Sequence, residues 1–175
     1  FQGIHKLLDV AGGTGSLSMA LVSRYPALKC TVLDLAPVCA IATEQIDRRG
    51  LGDRVHVVSA NMFEDPWPAG YDALLFGNIF HDWDLDSCRF LARRAFETLP
   101  PGGTICLHEM LLSEAKDGPL TVACFSIAML LHEKGKQFTA RELQQLLAEA
   151  GFVEFQVTPS YGYYSLVTAR KSPLA

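Results

Sequence analysis

Short apolar runs alternate along most of the chain with segments whose apolar positions recur at helical spacing. Read at a period of two, or as continuous apolar runs bounded by turn residues, this pattern predicts strands at His5–Val10, Lys29–Leu33, Arg54–Ser59, Tyr71–Phe76 and Thr104–Met110. Helical spacing predicts helices near Ser16–Arg24, Pro37–Arg49 and Leu85–Leu99. The last of these stops at LPPGG, Leu99–Gly103, because proline cannot continue a helix and glycine suits its C-terminal turn. Strands alternating with helices predict a parallel α/β sheet. After the fifth strand the rhythm changes. Pro119–His132 reads as an apolar helix, and Thr139–Ala150 as an amphipathic one with Thr139 as its cap and Glu142 at the capping-box position. Phe152–Arg170 then gives two strands around Pro159–Gly162, a hairpin. The expected fold is α/β and Rossmann-like: one domain over residues 1–175, five parallel α/β units closed by a C-terminal antiparallel hairpin, seven strands in all. That terminal hairpin departs from the usual dinucleotide-binding sheet.

In open α/β sheets, ligands bind at the carboxyl ends of the strands where the strand order reverses, so the loop after the first strand is the expected site. Here it reads LLDVAGGTGS, Leu7–Ser16. A phosphate-binding P-loop needs GxxxxGK[ST], and no lysine follows these glycines. A dinucleotide fingerprint needs GxGxxG; Gly13 and Gly15 match its first two positions, but the third falls on Ser18. An acid at the strand end followed by alternate-position glycines suits S-adenosylmethionine instead. Backbone N–H groups at a helix N-terminus take its carboxylate, Asp9 meets its ammonium group directly or through water, and Asp34 accepts both ribose hydroxyls. Asp34 alone does not separate this from a nicotinamide reading, which uses an acid at a similar distance. At the third strand end, SANMF (Ser59–Phe63) places Asn61 for the adenine amine and Met62 for the ring face, although Met62 and Phe63 equally suit plain core packing.

Composition narrows the classes. With 175 residues, 49% hydrophobic and 19% charged, the chain is globular rather than disordered. A net charge of −4 argues against nucleic acid and anionic membranes as partners. No apolar stretch reaches the ~18 residues of a membrane span. Five scattered cysteines without a CxxC pair give neither a metal site nor a disulfide framework, which points to a reducing cytoplasm. The chain opens with Phe1-Gln2-Gly3 and enters a strand almost at once, so it reads as a piece beginning in mid-protein, those residues being either a tag remnant or native sequence after a cut.

FGNIFHDWD (Phe76–Asp84) carries the candidate chemistry. His81 follows the fourth strand on the same sheet edge as the glycine loop. Histidine, with an ordinary pKa of ~6.5, accepts a proton near neutrality. Methyl transfer to a phenol or similar hydroxyl is an in-line displacement by oxygen, and oxygen is a poor nucleophile until its proton leaves. His81 is the candidate base. Glu109, near the end of the fifth strand in LHEML, is placed to orient the imidazole and stabilise its charged form, as the carboxylate does in a serine-protease triad. His108, its neighbour, faces the other way. A lone histidine at a strand end is otherwise an ordinary capping or surface residue.

With these residues in hand, the chain resembles the bacterial and plant small-molecule O-methyltransferases, the group that includes caffeate and acetylserotonin O-methyltransferases. The resemblance runs in order through LLDVAGGTG, VLDLAPV, ANMFEDPWP, FGNIFHDWD, LPPGGTICLHEMLL, GKQFTARELQQLLAEAGF and YSLVTARK. It implies the seven-stranded methyltransferase sheet, S-adenosylmethionine as cofactor and a small aromatic or polyketide-like acceptor. Carried over by position, it implies His81 as base, Glu109 as its first orienting acid, and Gln137 where plant members have a second one. Asp34 becomes the ribose-binding acid, and Leu35 and Asn78 join the cofactor contacts. Trp83, Phe125 and Met129 fall on the acceptor side, although a Met and aromatic stripe at helical spacing is also an ordinary core pattern. The chain departs from the family at Ala11, where glycine is usual, and at Asn61 and Gln137, where acids are usual. Gln137 keeps the capacity to hydrogen-bond His81 without stabilising its charge. The lysine that some members carry four residues before the base is here Gly77. Full-length members carry an N-terminal helical domain that makes a homodimer and closes the acceptor pocket; nothing in this chain resembles it, which leaves the helix Pro119–His132 with an exposed apolar face. A cofactor-binding domain with no chemistry, or with different chemistry, is the alternative that these departures favour, and a nicotinamide oxidoreductase is a third reading.

Overall fold

The computed structural model describes residues 1–173. Its elements follow the chain as β1 (Lys6–Val10), α1 (Ser16–Arg24), β2 (Lys29–Asp34), α2 (Ala36–Arg48), β3 (Val55–Ser59), β4 (Ala73–Gly77), a 3₁₀ turn at Phe80–Asp82, α3 (Leu85–Thr98), β5 (Thr104–Met110), α4 (Leu120–His132), α5 (Ala140–Glu149), β6 (Phe152–Pro159) and β7 (Tyr164–Lys171). One seven-stranded sheet holds them in the order β3-β2-β1-β4-β5-β7-β6. The first five strands are parallel, while β7 pairs antiparallel with both β5 and β6. The expected layout is the observed one.

The two-residue strand period splits the core into two layers. Leu8 and Val10, Leu74 and Phe76, and Ile105 and Leu107 pack with Leu91 and Ala95 of α3 and with Leu143 and Leu147 of α5 on one face. Leu7, Cys30, Val32, Leu75 and Cys106 pack with Met19 and Val22 of α1 and with Ala42 and Ile46 of α2 on the other. Both strand faces are therefore apolar, as a helix-covered parallel sheet requires.

Element ends differ from the expected ones for local reasons. β4 begins at Ala73 rather than Tyr71 because Asp72 is spent as a hinge, its Oδ2 accepting the His5 and Lys6 amides at 2.8 Å each. α3 stops at Thr98 because Leu99 precedes Pro100 and is extended. α5 starts with the expected capping box: Thr139 accepts from the Glu142 amide and Glu142 accepts from the Thr139 amide. α4 buries only Val122; Leu120, Ile127, Leu130 and Leu131 are exposed. No helix among the described residues is long and apolar enough to cross a membrane.

β1 is followed by a residue that strains the turn. Ala11 sits at φ +52°, a left-handed conformation that costs an L-residue about 1–2 kcal/mol. Ala11→Gly removes that cost and gives back part of it in unfolded-chain entropy. The expected net gain is about 0.5–1 kcal/mol, read as a Tm increase of about 1–4 °C by calorimetry. A lower Tm for the variant contradicts the strain argument.

Candidate active site

β1 pairs with β2 on one side and β4 on the other, so the strand order reverses there and a crevice opens at the carboxyl ends of these strands. The loop Ala11–Gly15 forms its floor. Gly13 and Gly15 have φ +58° and +75°. At Gly12 a Cβ would stand 2.6 Å from the Asp9 carboxyl carbon, so glycine is needed there to seat the loop on that carboxylate. The sequence pattern carries no signal for Gly12; only this close approach shows why glycine stands there. α1 follows Gly15, which offers no side-chain cap, so the positive end of the helix dipole lies at the glycine loop without a capping side chain.

Asp9 does not lie on the open face of that loop, where the sequence places it to meet an ammonium group. It is 1% exposed, and Ser18, also fully buried, donates its hydroxyl to Asp9 Oδ2 at 2.7 Å. Burial pushes the Asp9 carboxyl up to about 7; the Ser18 hydrogen bond opposes this and the nearby Asp34 charge adds to it. Ser18, a mismatch to the dinucleotide fingerprint, is thus the donor that a buried Asp9 needs.

Asp34 ends β2 half-buried. Its Oδ2 accepts the Gly13 amide at 2.8 Å and its Oδ1 the Leu35 amide at 2.7 Å, so one carboxylate ties the glycine loop to the second strand end. Each oxygen keeps a further lone pair for a ligand hydroxyl. Leu35 is 52% exposed beside it. At the end of β3, Asn61 Oδ1 accepts the Phe63 amide at 2.9 Å and Met62 packs partly buried against the core. This loop is held from behind by Arg94, which the sequence did not single out. Its guanidinium donates to the carbonyls of Met62 (3.1 Å), Phe63 (3.0 Å) and Asp65 and lies over the Trp67 ring at 5.0 Å. At the end of β4, Asn78 adopts φ +60° and its Oδ1 is buried with no hydrogen-bond partner among the described residues. An acceptor left unpaired at the switch point is a place for a ligand's N–H or ammonium group. With the uncapped helix end and the Asp34 carboxylate, the residues present fit a zwitterionic amino acid joined to a nucleoside.

The catalytic candidates meet beside this crevice. Glu109 is 1% exposed on β5 and faces the α3 layer. Its Oε2 lies 2.5 Å from His81 Nδ1, while its Oε1 accepts the Ile79 and Phe80 amides at 3.0 Å each. One carboxylate thus shapes the 3₁₀ turn and orients the imidazole within it. On the other ring nitrogen, His81 Nε2 lies 3.2 Å from Asp82 Oδ1. Burial pulls the His81 pKa down, but the hydrogen bond and charge of Glu109, with Asp82, outweigh it and hold it above the ordinary value. The sequence pattern assigns Asp82 no role, because adjacency along a chain does not show which way a side chain turns. His108 faces the opposite side as expected, stacked on Tyr164 at 4.9 Å and 1 residue from Glu109 on the alternating strand.

The aromatic ring of Phe125 on α4 meets His81 edge-on at 5.6 Å, which brings α4 to the base. Trp83 packs edge-on against Phe63 at 4.6 Å and is only half-buried. Met129 is partly buried on α4. The expected hydrogen bond between Gln137 and His81 is absent: Gln137 is 1% exposed and both of its side-chain polar atoms lack partners among the described residues. What does reach the base from that segment is Gly135, where a Cβ would come within 2 Å of the His81 carbonyl oxygen, at 1.9 Å. At Gly77, a Cβ would stand 2.4 Å from Leu17 Cδ1, so a lysine there would require Leu17 to move.

The family model described as the O-methyltransferase domain matches residues 1–153. The 3-hydroxy-5-methyl-1-naphthoate 3-O-methyltransferase of Streptomyces sahachiroi is 38% identical over 153 residues, covering 87% of this chain and 44% of the relative. The crystal structure of human N-acetylserotonin methyltransferase in complex with SAM superposes with a TM-score of 0.91 at 31% identity, covering 97% of this chain and 48% of that one. An O-methyltransferase family 2 protein from Planctomyces limnophilus, solved in complex with apigenin, gives a TM-score of 0.90 at 32% identity over 95% of this chain and 50% of that one. The chain spans about half the length of the relatives it matches.

Because the folded His81 pKa lies above its unfolded value, protonated His81 contributes stability that is full below about pH 6.5 and is lost as the pH rises through the folded pKa. Glu109→Gln removes the main charge responsible. In the variant the His81 titration, followed by NMR, shifts to lower pH. The stability gap to the wild type is widest near about pH 6 and narrows on going alkaline. An unshifted titration contradicts the Glu109 assignment.

Proposed function

We propose, since this chain belongs to the O-methyltransferase domain family, that it transfers the methyl group of S-adenosylmethionine to a hydroxyl of a small aromatic or polyketide-like acceptor, with His81 as general base. S-adenosylmethionine, the cofactor of this family, supplies an electrophilic methyl group on a sulfonium. The uncapped start of α1 takes the carboxylate of its amino-acid end, and the unpaired Asn78 Oδ1 accepts from its ammonium group. Asp9 supports this end from beneath the loop, with Ser18. Asp34 accepts from the ribose hydroxyls, while Leu35 and Met62 cover the adenine faces and Asn61 meets its edge. The absence of a lysine in the loop agrees with a ligand that carries no phosphate.

The observation that carries the reading is the buried carboxylate of Glu109, bonded both to His81 Nδ1 and to the turn that presents it. With Nδ1 committed to Glu109, only Nε2 is open to an acceptor. Asp82, partly exposed, yields that position as the hydroxyl enters. His81 Nε2 then takes the hydroxyl proton as oxygen attacks, and Glu109 stabilises the resulting imidazolium. Phe125, Met129 and Trp83 form the apolar wall against which an aromatic acceptor lies, and the exposed leucines of α4 are the face on which the family's second domain closes.

His81→Ala is expected to lower kcat by about 10²–10⁴-fold on a phenolic acceptor, with affinity for S-adenosylhomocysteine held within about threefold. In the wild type, kcat/KM rises with pH through the elevated His81 pKa, because the base acts only when neutral. The variant's residual rate lacks that inflection. Full activity in the variant, or a wild-type profile flat across the neutral range, overturns His81 as base.

A further inference from the structure

The segment after β3 makes one helix-like turn and no more. The Asn61 carbonyl accepts the Glu64 and Asp65 amides at 3.2 and 3.0 Å, and the Asn61 amide donates to Asp65 Oδ2 at 2.8 Å. The later carbonyls of such a turn have no following turn to accept from. One guanidinium takes them. Arg94, on α3, donates through Nη1 to the Met62 and Phe63 carbonyls at 3.1 and 3.0 Å and through Nη2 to that of Asp65. Trp67 Nε1 shares the Met62 carbonyl at 3.1 Å. The guanidinium is itself fixed, lying over the Trp67 ring at 5.0 Å and the Phe90 ring at 5.8 Å. Arginine suits this place because a planar fork of N–H donors reaches several converging carbonyls, whereas lysine brings a point charge on a flexible stem. A cation at the carbonyl end of a helical turn also meets its dipole favourably.

We propose that Arg94 is a positioning residue of the cofactor site: it acts through the turn of residues 61–65, holding Asn61 and Met62 where they meet the adenine. This rests on the S-adenosylmethionine reading above. Affinity for the base end of the cofactor then depends on a side chain of α3. The grip on the amino-acid end and the ribose, through the glycine loop and Asp34, does not.

Three ligands separate these contributions. S-adenosylhomocysteine has every part, adenosine lacks the amino acid, and S-ribosylhomocysteine lacks the base. Binding is read by calorimetry for the first and by NMR titration for the two weaker ones. Arg94→Met removes the donors and is expected to weaken S-adenosylhomocysteine and adenosine by about tenfold, the scale of one or two hydrogen bonds. S-ribosylhomocysteine stays within about twofold of the wild type, a split that a merely structural role would not produce. Arg94→Lys keeps the charge without the fork and loses about threefold on the two base-bearing ligands. Arg93→Met, the same change at the exposed neighbouring position, weakens none of the three. Amide hydrogen exchange over residues 61–65 quickens in both Arg94 variants. Should the methionine variant fail to fold, the lysine variant decides by the same pattern. Equal losses on all three ligands, or no loss on the base-bearing pair, overturn the proposal. A folded wild-type protein that binds none of them defeats the underlying reading, and the proposal with it.

Discussion

The carboxylate of Glu109 is the constraint on which the site depends. It is buried on β5 and would be costly there without partners. One oxygen takes two backbone amides of the turn at Ile79 and Phe80, and the other faces His81 Nδ1. Desolvation, turn geometry and imidazole orientation are therefore a single problem with a single solution. The β4–β5 pairing aligns Gly77 with His108, which puts Glu109 one residue further along, level with the turn. Sheet register thus sets where the base can stand. The same carboxylate that desolvation makes expensive orients the imidazole through Nδ1 and lifts the histidine pKa.

On the neighbouring strand ends a second buried acid plays the complementary part. Asp9 lies under the glycine loop, bonded to Ser18, and the loop can approach it only because Gly12 has no side chain. Asp34 then ties Gly13 to the end of β2. The two acids shape the floor and one wall of a crevice whose polar edges suit a zwitterion and a diol. The crevice and the base share one edge of the sheet because β1 and β4 are neighbours in it.

Much of this was legible in the sequence. Apolar runs, helical spacing and the LPPGG stop located the strands and helices to within a few residues, because the central strands are buried on both faces and most of the helices on one. His81, Glu109 and Asp34 were legible because each follows or ends a strand at the edge where such sheets bind ligands. The rest depended on directions that a linear pattern does not carry. Asp9 reads as a ligand contact until its burial is seen, and Ser18 as a mismatch until its bond is. Gln137 reads as a partner of the base, but the chain turns at Gly135 so that backbone, not the amide, meets His81. Arg94 gave no signal, since an arginine on a helix is ordinary until three carbonyls converge on it.

The central claim is that this sheet edge holds a sulfonium nucleoside amino acid beside a carboxylate-poised imidazole. Calorimetric titration with S-adenosylhomocysteine, run beside NAD, tests it most directly. Saturable binding of the first, at a Kd on the order of micromolar, with no heat from the second, is the predicted result. Binding of NAD without S-adenosylhomocysteine, or of neither, would contradict it.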